Sequence, residues 1–477
     1  MKSAPLTIIL LLLFVKSTFS LPYGFGLVDE GESLHNAQRI LKGELPYRDF
    51  FAVFPPLDNY YYAEIMKLFG TSIIAPRIVS TLIFSFAVLG IYLLAGPASA
   101  ILLIFADISP DRLFFFAPIF WAIYLFVHKK SYFFPGLLLG LISWFRVDIP
   151  ATFFISLVLL GILTKRKPLS LGILTLGYIL PILGLFIWLV HFNVVELFIH
   201  QGVTQALLVT ELMKLSVLSP LKMVASPLSL KSAYNIFTSL YFYLLISSLF
   251  AGLFWCIKNR NLVAAIFLTS GLMTLPYIMG RTDIGHMVKG GMYLFVLLGI
   301  WTNSSTLWLK QLSRLISVLL VMAGIAQTVW MVKFNDTSLK INGHVLRVNS
   351  SYIQGTTLPS AKTLKSSIEF LQTTPQNQPV LAVPYMAGLY YLADRPSPTK
   401  YNNILGGEVA TVKDQTDFID QVEKNAVTTV VYDPKNNDSN SGFELKTYNP
   451  LIHQYIMNTY QVVSTSPEGW LFMKRKI

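Results

Sequence analysis

Charged side chains are scarce in this sequence, and the places where they gather could hold an anion and move a proton. The first such place is Asp29-Glu30-Gly31-Glu32, followed by Gly43 through Asp49 and by Pro55-Pro56. Arg77 comes next, then Asp107 with Asp111 and Arg112, then Arg146 with Asp148, and last Arg281-Thr282-Asp283-Ile284-Gly285-His286. A carboxylate in apolar surroundings has a raised pKa and suits a general base. Fixed cations stabilise negative charge that grows as a reaction proceeds, and one such contact is often worth ~3 kcal/mol. Singly, each group has a plainer reading. An Arg-x-Asp at a helix end is a local ion pair or cap, and Asp29-Glu30-Gly31 is a solvated turn or a cap for a helix starting near Ser33.

Other chemistries lack their residues. His35, His128, His191, His200, His286, His344 and His453 are scattered, with no His-x-x-x-His, and Cys256 is the only cysteine. A histidine- or cysteine-based metal site and a disulfide framework are therefore not expected. Carboxylates alone leave room for a divalent cation, Mg²⁺ or Mn²⁺. No Gly-x-x-x-x-Gly-Lys or Gly-x-Gly-x-x-Gly is present, so nucleotide hydrolysis and dinucleotide binding have no support.

The elements that must carry these residues follow from composition. Of 477 residues, 53% are hydrophobic and only 13% charged, with a mean hydropathy of +0.56. A soluble chain carries about 25% charged residues, so half of the usual solvating surface is missing. The net charge of +12 fits cytoplasmic loops of a membrane protein better than nucleic acid, because the basic residues form no extended patch. Residues 333–477 hold 26 of the 62 charged side chains. That shift marks a boundary between a membrane region, 1–332, and a polar C-terminal region, 333–477.

A hydrocarbon layer about 30 Å thick takes ~20 helical residues to cross. Windows of that kind fall at 5–21, 72–95, 97–107, 113–128, 132–147, 149–164, 169–190, 234–257, 262–280, 288–302 and 312–332, a working count of about eleven spans. Lys129-Lys130, Lys165-Arg166-Lys167, Lys258 with Arg260, and Lys310 with Arg314 lie between them. With Lys2 inside, the positive-inside rule then places every cluster on the cytoplasmic side. The alternate loops face outward, and so does everything after residue 332. The acids and arginines above all fall at outer ends of spans, where they could converge on one outer-facing cavity. Thr18-Phe19-Ser20 also allows a cleaved signal peptide, which would leave the downstream topology unchanged.

Two further regions complete the chain. Residues 191–233 are too polar for a span, and with Lys214, Lys222 and Lys231 among Val, Leu and Met they suggest amphipathic helices on the outer leaflet. Lys214 or Lys222 could join the phosphate contacts or snorkel to head groups. The C-terminal region reads as α/β, with helices at 360–372 and 415–425 and strands at 379–383, 428–432, 460–464 and 470–474. The fold class is thus a polytopic α-helical membrane protein with a C-terminal α/β extracytoplasmic domain.

Several segments resemble a known family. Asp29-Glu30-Gly31, then Gly43-Glu44-Leu45-Pro46-Tyr47-Arg48-Asp49-Phe50, Pro55-Pro56 and Phe69-Gly70 leading into Arg77, resemble the first outer loop of the GT-C glycosyltransferases. The nearest branch looks similar to protein O-mannosyltransferases and the lipid A aminoarabinose transferase. Gly280-Arg281-x-Asp283-x-x-His286 and Gly388-Leu389-Tyr390-Tyr391-Leu392-Ala393-Asp394-Arg395-Pro396 also look like segments of such proteins. The resemblance implies an integral inner-membrane enzyme. It would transfer a sugar, with inversion, from a polyprenyl-phosphate carrier to a glycan, lipid or protein acceptor on the outer side. Asp29 then matches the first-loop acid and is the candidate base, with Glu30 orienting the acceptor or tuning Asp29. Arg77, Arg146, Arg281 and His286 are candidates for the phosphate, Asp283 for holding Arg281, and Asp107, Asp111 and Asp148 for a second acidic role. A transporter or lipid flippase is the alternative, but it would place paired charges near the bilayer midplane and show related halves. A non-catalytic scaffold with a partner-binding outer domain is a third reading.

Overall fold

A computed structural model describes residues 4–106, 113–205, 207, 230–341, 343–349, 359–404, 408–409, 411–435 and 444–476. Packing divides the chain into two units. One comprises Met1–Leu21, Arg77–Phe192 and Lys214–Val329; the other comprises Pro22–Pro76, Asn193–Met213 and Trp330–Ile477.

The first unit is helical throughout its described residues, as an apolar chain must be where no water can satisfy its backbone. Helices occur at each of the eleven apolar windows, from Ala4–Ser20 to Leu307–Phe334. Their lengths differ from what a simple span count assumes. Ile74–Ala95, Pro168–His191, Ile236–Asn259 and Leu307–Phe334 are long and apolar enough to cross a membrane alone. Ile284–Gly290 and Met292–Trp301 form a fifth candidate, bent by 61° where they join. Phe116–His128, Phe133–Ile142, Asp148–Leu163 and Leu262–Met273 are shorter apolar helices. Phe116, Phe120, Ile123, Phe126 and Phe267 are fully buried.

Glycine permits the closest helix pairing of this unit. A Cβ at Gly136 would sit 2.0 Å from the carbonyl oxygen of Leu174, and one at Gly177 would sit 2.3 Å from that of Phe133. The Phe133–Ile142 and Pro168–His191 helices therefore touch backbone to backbone, the small-residue packing that brings helices together in lipid.

The second unit is built on a four-stranded sheet with order β3-β4-β6-β5. Its strands are β3 (Leu381–Val383), β4 (Thr429–Tyr432), β5 (Tyr460–Thr465) and β6 (Leu471–Arg475). β3 pairs parallel with β4, whereas β4–β6 and β5–β6 are antiparallel. β1 (Thr337–Ile341) and β2 (His344–Val348) form a separate antiparallel hairpin. That hairpin is absent from the sequence reading, which names no element between 333 and 359. Two helices of this unit begin at side-chain caps, and the second starts at Val412, three residues ahead of the expected 415. Ser360 accepts from the Thr363 N–H at 3.3 Å ahead of Ala361–Gln372, and Thr411 forms a capping box with Asp414 ahead of Val412–Lys424.

The segment 22–71 belongs to this second unit rather than to the helical one. Its helices Asp29–Leu41 and Pro56–Phe69 bury Leu34, Ala37, Tyr62, Ala63 and Met66 in one core with Leu364, Ile368, Leu389, Tyr390 and Val431. Apolar faces of these helices find cover on the sheet and its helices, a long-range choice that local pattern does not reveal. Of residues 191–233, the structure describes a short helix Val195–Ile199 and a π-helix His200–Gln205. Gln201 in that π-helix ties this stretch to residues 47–52, accepting from the Ala52 N–H at 2.9 Å and donating to the Tyr47 carbonyl at 2.8 Å. Lys214 and Lys222 lie outside the described residues.

Candidate functional site

In the helical unit, two helix junctions come together through their side chains. Arg146 lies in the turn before the Asp148–Leu163 helix and grips Asp148 with two hydrogen bonds, Nε–Oδ1 at 3.0 Å and Nη2–Oδ2 at 2.7 Å. Such a paired geometry fixes the plane of the guanidinium. The same guanidinium stands 5.8 Å from the Phe115 ring centre and 5.6 Å from that of Tyr277, within cation–π range. The Tyr277 ring in turn lies 5.0 Å from the His286 ring.

His286 opens the second junction. Asp283 caps the Ile284–Gly290 helix, accepting from the His286 backbone N–H at 2.9 Å, and its carboxylate also meets His286 Nδ1 at 2.9 Å. Its other bond goes to Arg281 Nε at 2.7 Å. Arg146, Asp148, Tyr277, His286, Asp283 and Arg281 thus form one continuous polar chain, although Asp148 and Tyr277 are 129 positions apart in sequence. Lys289, one turn beyond His286, is within electrostatic reach of Asp148 and His286. It is 8% exposed, and no other Lys or Arg among the described residues is as buried.

The array is a cationic surface with a fixed shape. Asp148 and Asp283 hold the two guanidinium groups, Tyr277 also bonds Arg146, and Asp283 holds His286 by its Nδ1. Arg77 has a different local setting: its Nη1 donates to the Leu21 carbonyl at 2.6 Å, bracing the end of the first helix against the start of Ile74–Ala95. Asp107 and Asp111 lie outside the described residues. Tyr277 and Lys289 are absent from the sequence reading. The signal for Lys289 was a lone lysine three residues from His286 in an apolar stretch, which periodicity alone does not separate from a snorkelling side chain.

In the second unit, the acidic motif is neither an irregular turn nor a cap for a helix at Ser33. The helix starts at Asp29 itself, with Val28 at the N-cap and no side-chain cap bond, so Asp29, Glu30 and Glu32 occupy its first turn. Three negative charges there gain from the partial positive charge of the helix end. Glu30 turns back to accept from the Gly26 N–H at 3.2 Å. Gly31 is required by packing, since a Cβ on it would lie 2.4 Å from the Cα of Gly388. The Leu27 carbonyl accepts from the Gly388 N–H at 2.8 Å. The two resemblance segments, 29–31 and 388–396, therefore meet backbone to backbone.

Behind the motif runs a polar network. Arg39 binds Glu44 at 2.6 Å, Ser397 at 3.0 Å, Asn402 at 2.8 Å and the carbonyls of Asp49 at 2.7 Å and Thr399 at 3.0 Å. It holds the Gly43–Asp49 segment against residues 397–402. His35 lies buried between Ser397, Gln38 and the Tyr390 ring. Burial, then the nearby Arg39, holds its imidazole down to about 3, so it is neutral at physiological pH. Glu32 accepts from Asn403 Nδ2 at 2.8 Å. Burial lifts its carboxyl to about 7; the Asn403 bond works the other way, and the charges of Asp29 and Asp58 add to the rise. Among the described residues no group of three or more His, Cys, Asp or Glu is placed to hold a metal ion.

Known structures share this architecture. The chain is similar to the oligosaccharyltransferase AglB of Archaeoglobus fulgidus, solved with an inhibitory peptide and a dolichol-phosphate, at 11% identity and TM-score 0.54, covering 100% of this chain and 74% of that one. It is also similar to ArnT of Cupriavidus metallidurans bound to undecaprenyl phosphate, at 11% identity and TM-score 0.53, covering 99% and 98%. For ArnT in the apo state the values are 12%, 0.54, 98% and 97%. No protein-family model matches the chain, and no curated protein does either. The chain has the GT-C fold.

Proposed function

We propose that this protein is an inverting membrane glycosyltransferase that moves a sugar from a polyprenyl-phosphate carrier to an acceptor on the outer side of the membrane. The observation that carries this reading is the array Arg146–Tyr277–His286–Asp283–Arg281 at helix junctions of a GT-C fold. Cations fixed by carboxylates suit a lipid-borne phosphate, and the two solved relatives named above carry dolichol-phosphate and undecaprenyl phosphate. In this reading some eleven helices cross the bilayer, the N-terminus is cytoplasmic, and residues 333–477 lie outside.

The chemistry then runs as one displacement. The acceptor hydroxyl oxygen bonds to the anomeric carbon while the bond from that carbon to the phosphate oxygen breaks. The electron pair leaves with the polyprenyl phosphate, and the hydroxyl proton goes to Asp29. Arg146, Arg281, His286 and Arg77 stabilise the phosphate as its charge grows, with Asp283 and Asp148 holding the two guanidinium groups that they bind. Glu30 orients the acceptor. Asp107 or Asp111 supplies any second acidic role. No nucleotide takes part, and a divalent-cation requirement is read by adding EDTA.

The test supplies purified, reconstituted protein with lipid-linked sugars and reads the product by mass spectrometry. Asp29→Asn abolishes transfer with carrier-lipid binding retained. Arg281→Ala raises the KM for the donor at least tenfold, the loss expected from one charge-assisted contact. Uptake of labelled lipid with no sugar product in the same vesicles would favour a flippase instead.

A further inference from the structure

Glu32 sits one helical turn after Asp29, the spacing that brings two side chains onto the same helix face about 5–6 Å apart. Its carboxyl does not point idly at solvent. Asn403 Oδ1 accepts from the Ala387 N–H at 3.0 Å, which fixes the amide so that its NH₂ faces Glu32 and donates to Oε2 at 2.8 Å. The acid is therefore held in place by a side chain 371 residues away. Asn36 and Asn59 join at 2.9 Å, locking the helix of Glu32 to the helix of Asp58. Gly31, between the two acids, is pinned against Gly388 and leaves the turn no room to shift.

We infer that Glu32 is a positioning residue for the proposed base: clamped by Asn403, its charge sets the basicity of Asp29. The inference rests on the reading of Asp29 as base. The charged and titratable groups around Glu32 are few. On its own helix they are Asp29, Glu30 and the neutral His35; from Pro56–Phe69 comes Asp58; from Ala387–Ala393 comes Tyr391, which lies toward Glu30; and residues 397–403 bring Asn403. Every charge among them that acts on Glu32 is negative. A like charge at this distance disfavours ionisation of its neighbour, so ionised Glu32 makes Asp29 a stronger base. Because Glu32 changes charge at about pH 7, next to an Asp29 whose charge already acts on it, the effect sets in at that pH.

The experiment is the pH dependence of kcat/KM for sugar transfer by the reconstituted full chain. Glu32→Gln keeps an acceptor for Asn403 and removes the charge. The parent's kcat/KM goes on rising through about pH 6–8 as Glu32 ionises beside Asp29; in Glu32→Gln that rise, about threefold for a single charge at this range, is lost, while carrier-lipid binding is unchanged. Glu32→Asp keeps the charge and retains the rise. Asn403→Ala removes the donor that favours ionised Glu32 and shifts the rise to higher pH, which covers the case of a Glu32 variant that does not fold. A rise through this range that persists in active Glu32→Gln, or that is lost equally in Glu32→Gln and Glu32→Asp, overturns the inference. Transfer retained by Asp29→Asn would instead sink the assignment of the base.

Discussion

Two buried groups on one helix make opposite demands on proton concentration. His35 is kept neutral in the fold, so below about pH 6.5 the unfolded chain binds a proton that the folded one refuses, and stability falls as pH drops toward 3. Glu32 behaves the other way. Its folded carboxyl retains a proton up to about pH 7, where the unfolded one has lost it near 4.5, so its contribution is lost as pH rises through that interval. The two slopes offset one another between about pH 4.5 and 6.5. Glu32→Gln removes one of them. Relative to the parent, this variant gains stability steadily from pH 4.5 to 8, by on the order of 1–3 kcal/mol, in melting curves of detergent-solubilised protein. A constant difference across that range would show that Glu32 titrates as an ordinary surface acid.

At the scale of elements, two glycines decide whether the acidic helix can seat. Intrinsic propensity says that Gly31→Ala should strengthen the helix by up to about 1 kcal/mol. The packing says the reverse, because the new methyl group would stand 2.4 Å from backbone that has no flexible end to swing aside. Overpacking of this kind costs about 1–3 kcal/mol, so the expected result is a lower melting temperature and reduced transfer. A rise in melting temperature would mean that the Asp29–Leu41 and Ala387–Ala393 helices are not in close contact. Beside the cationic array the fit is as close, since a Cβ at Gly290 would lie 2.6 Å from Cγ1 of Ile278. Asp283 both caps Ile284–Gly290 and holds Arg281, so one side chain starts the element and orients the cation.

The molecule as a whole joins a helical unit to a sheet-based one, and the proposed topology makes a statement about both. With Cys256 replaced by Ser, cysteines introduced at Lys130 and Arg166 are expected to react with impermeant thiol reagents only from the cytoplasmic side, and one at Lys413 only from the outer side. Labelling of Lys130→Cys and Lys413→Cys from the same side would break the alternation on which the span count depends. The bend of 61° between Ile284–Gly290 and Met292–Trp301 falls at Gly291, in the turn after Lys289 and one to two turns beyond His286. Broken helices in membranes are tolerated where they line a cavity or are covered by protein, which suits a polar array at that point.

Sequence by itself determined the helical character of the first unit, because long apolar runs have only one way to satisfy their backbone in lipid. It also marked the helices near 360–372 and 415–425 and the strands at 428–432 and 470–474, since those signals are local in the chain. Asp29, Arg146, Arg281 and His286 were legible as rare charges in an apolar sequence, with a family resemblance to sort them. Only tertiary structure decided that the acidic motif starts a helix and packs with 388–396, that Tyr277 links Arg146 to His286, that Lys289 is buried beside them, and that Asn403 holds Glu32. Each of those facts depends on which distant surfaces exclude water together. Burial and pairing of that kind are properties of packed elements, and no periodicity along a single chain encodes them.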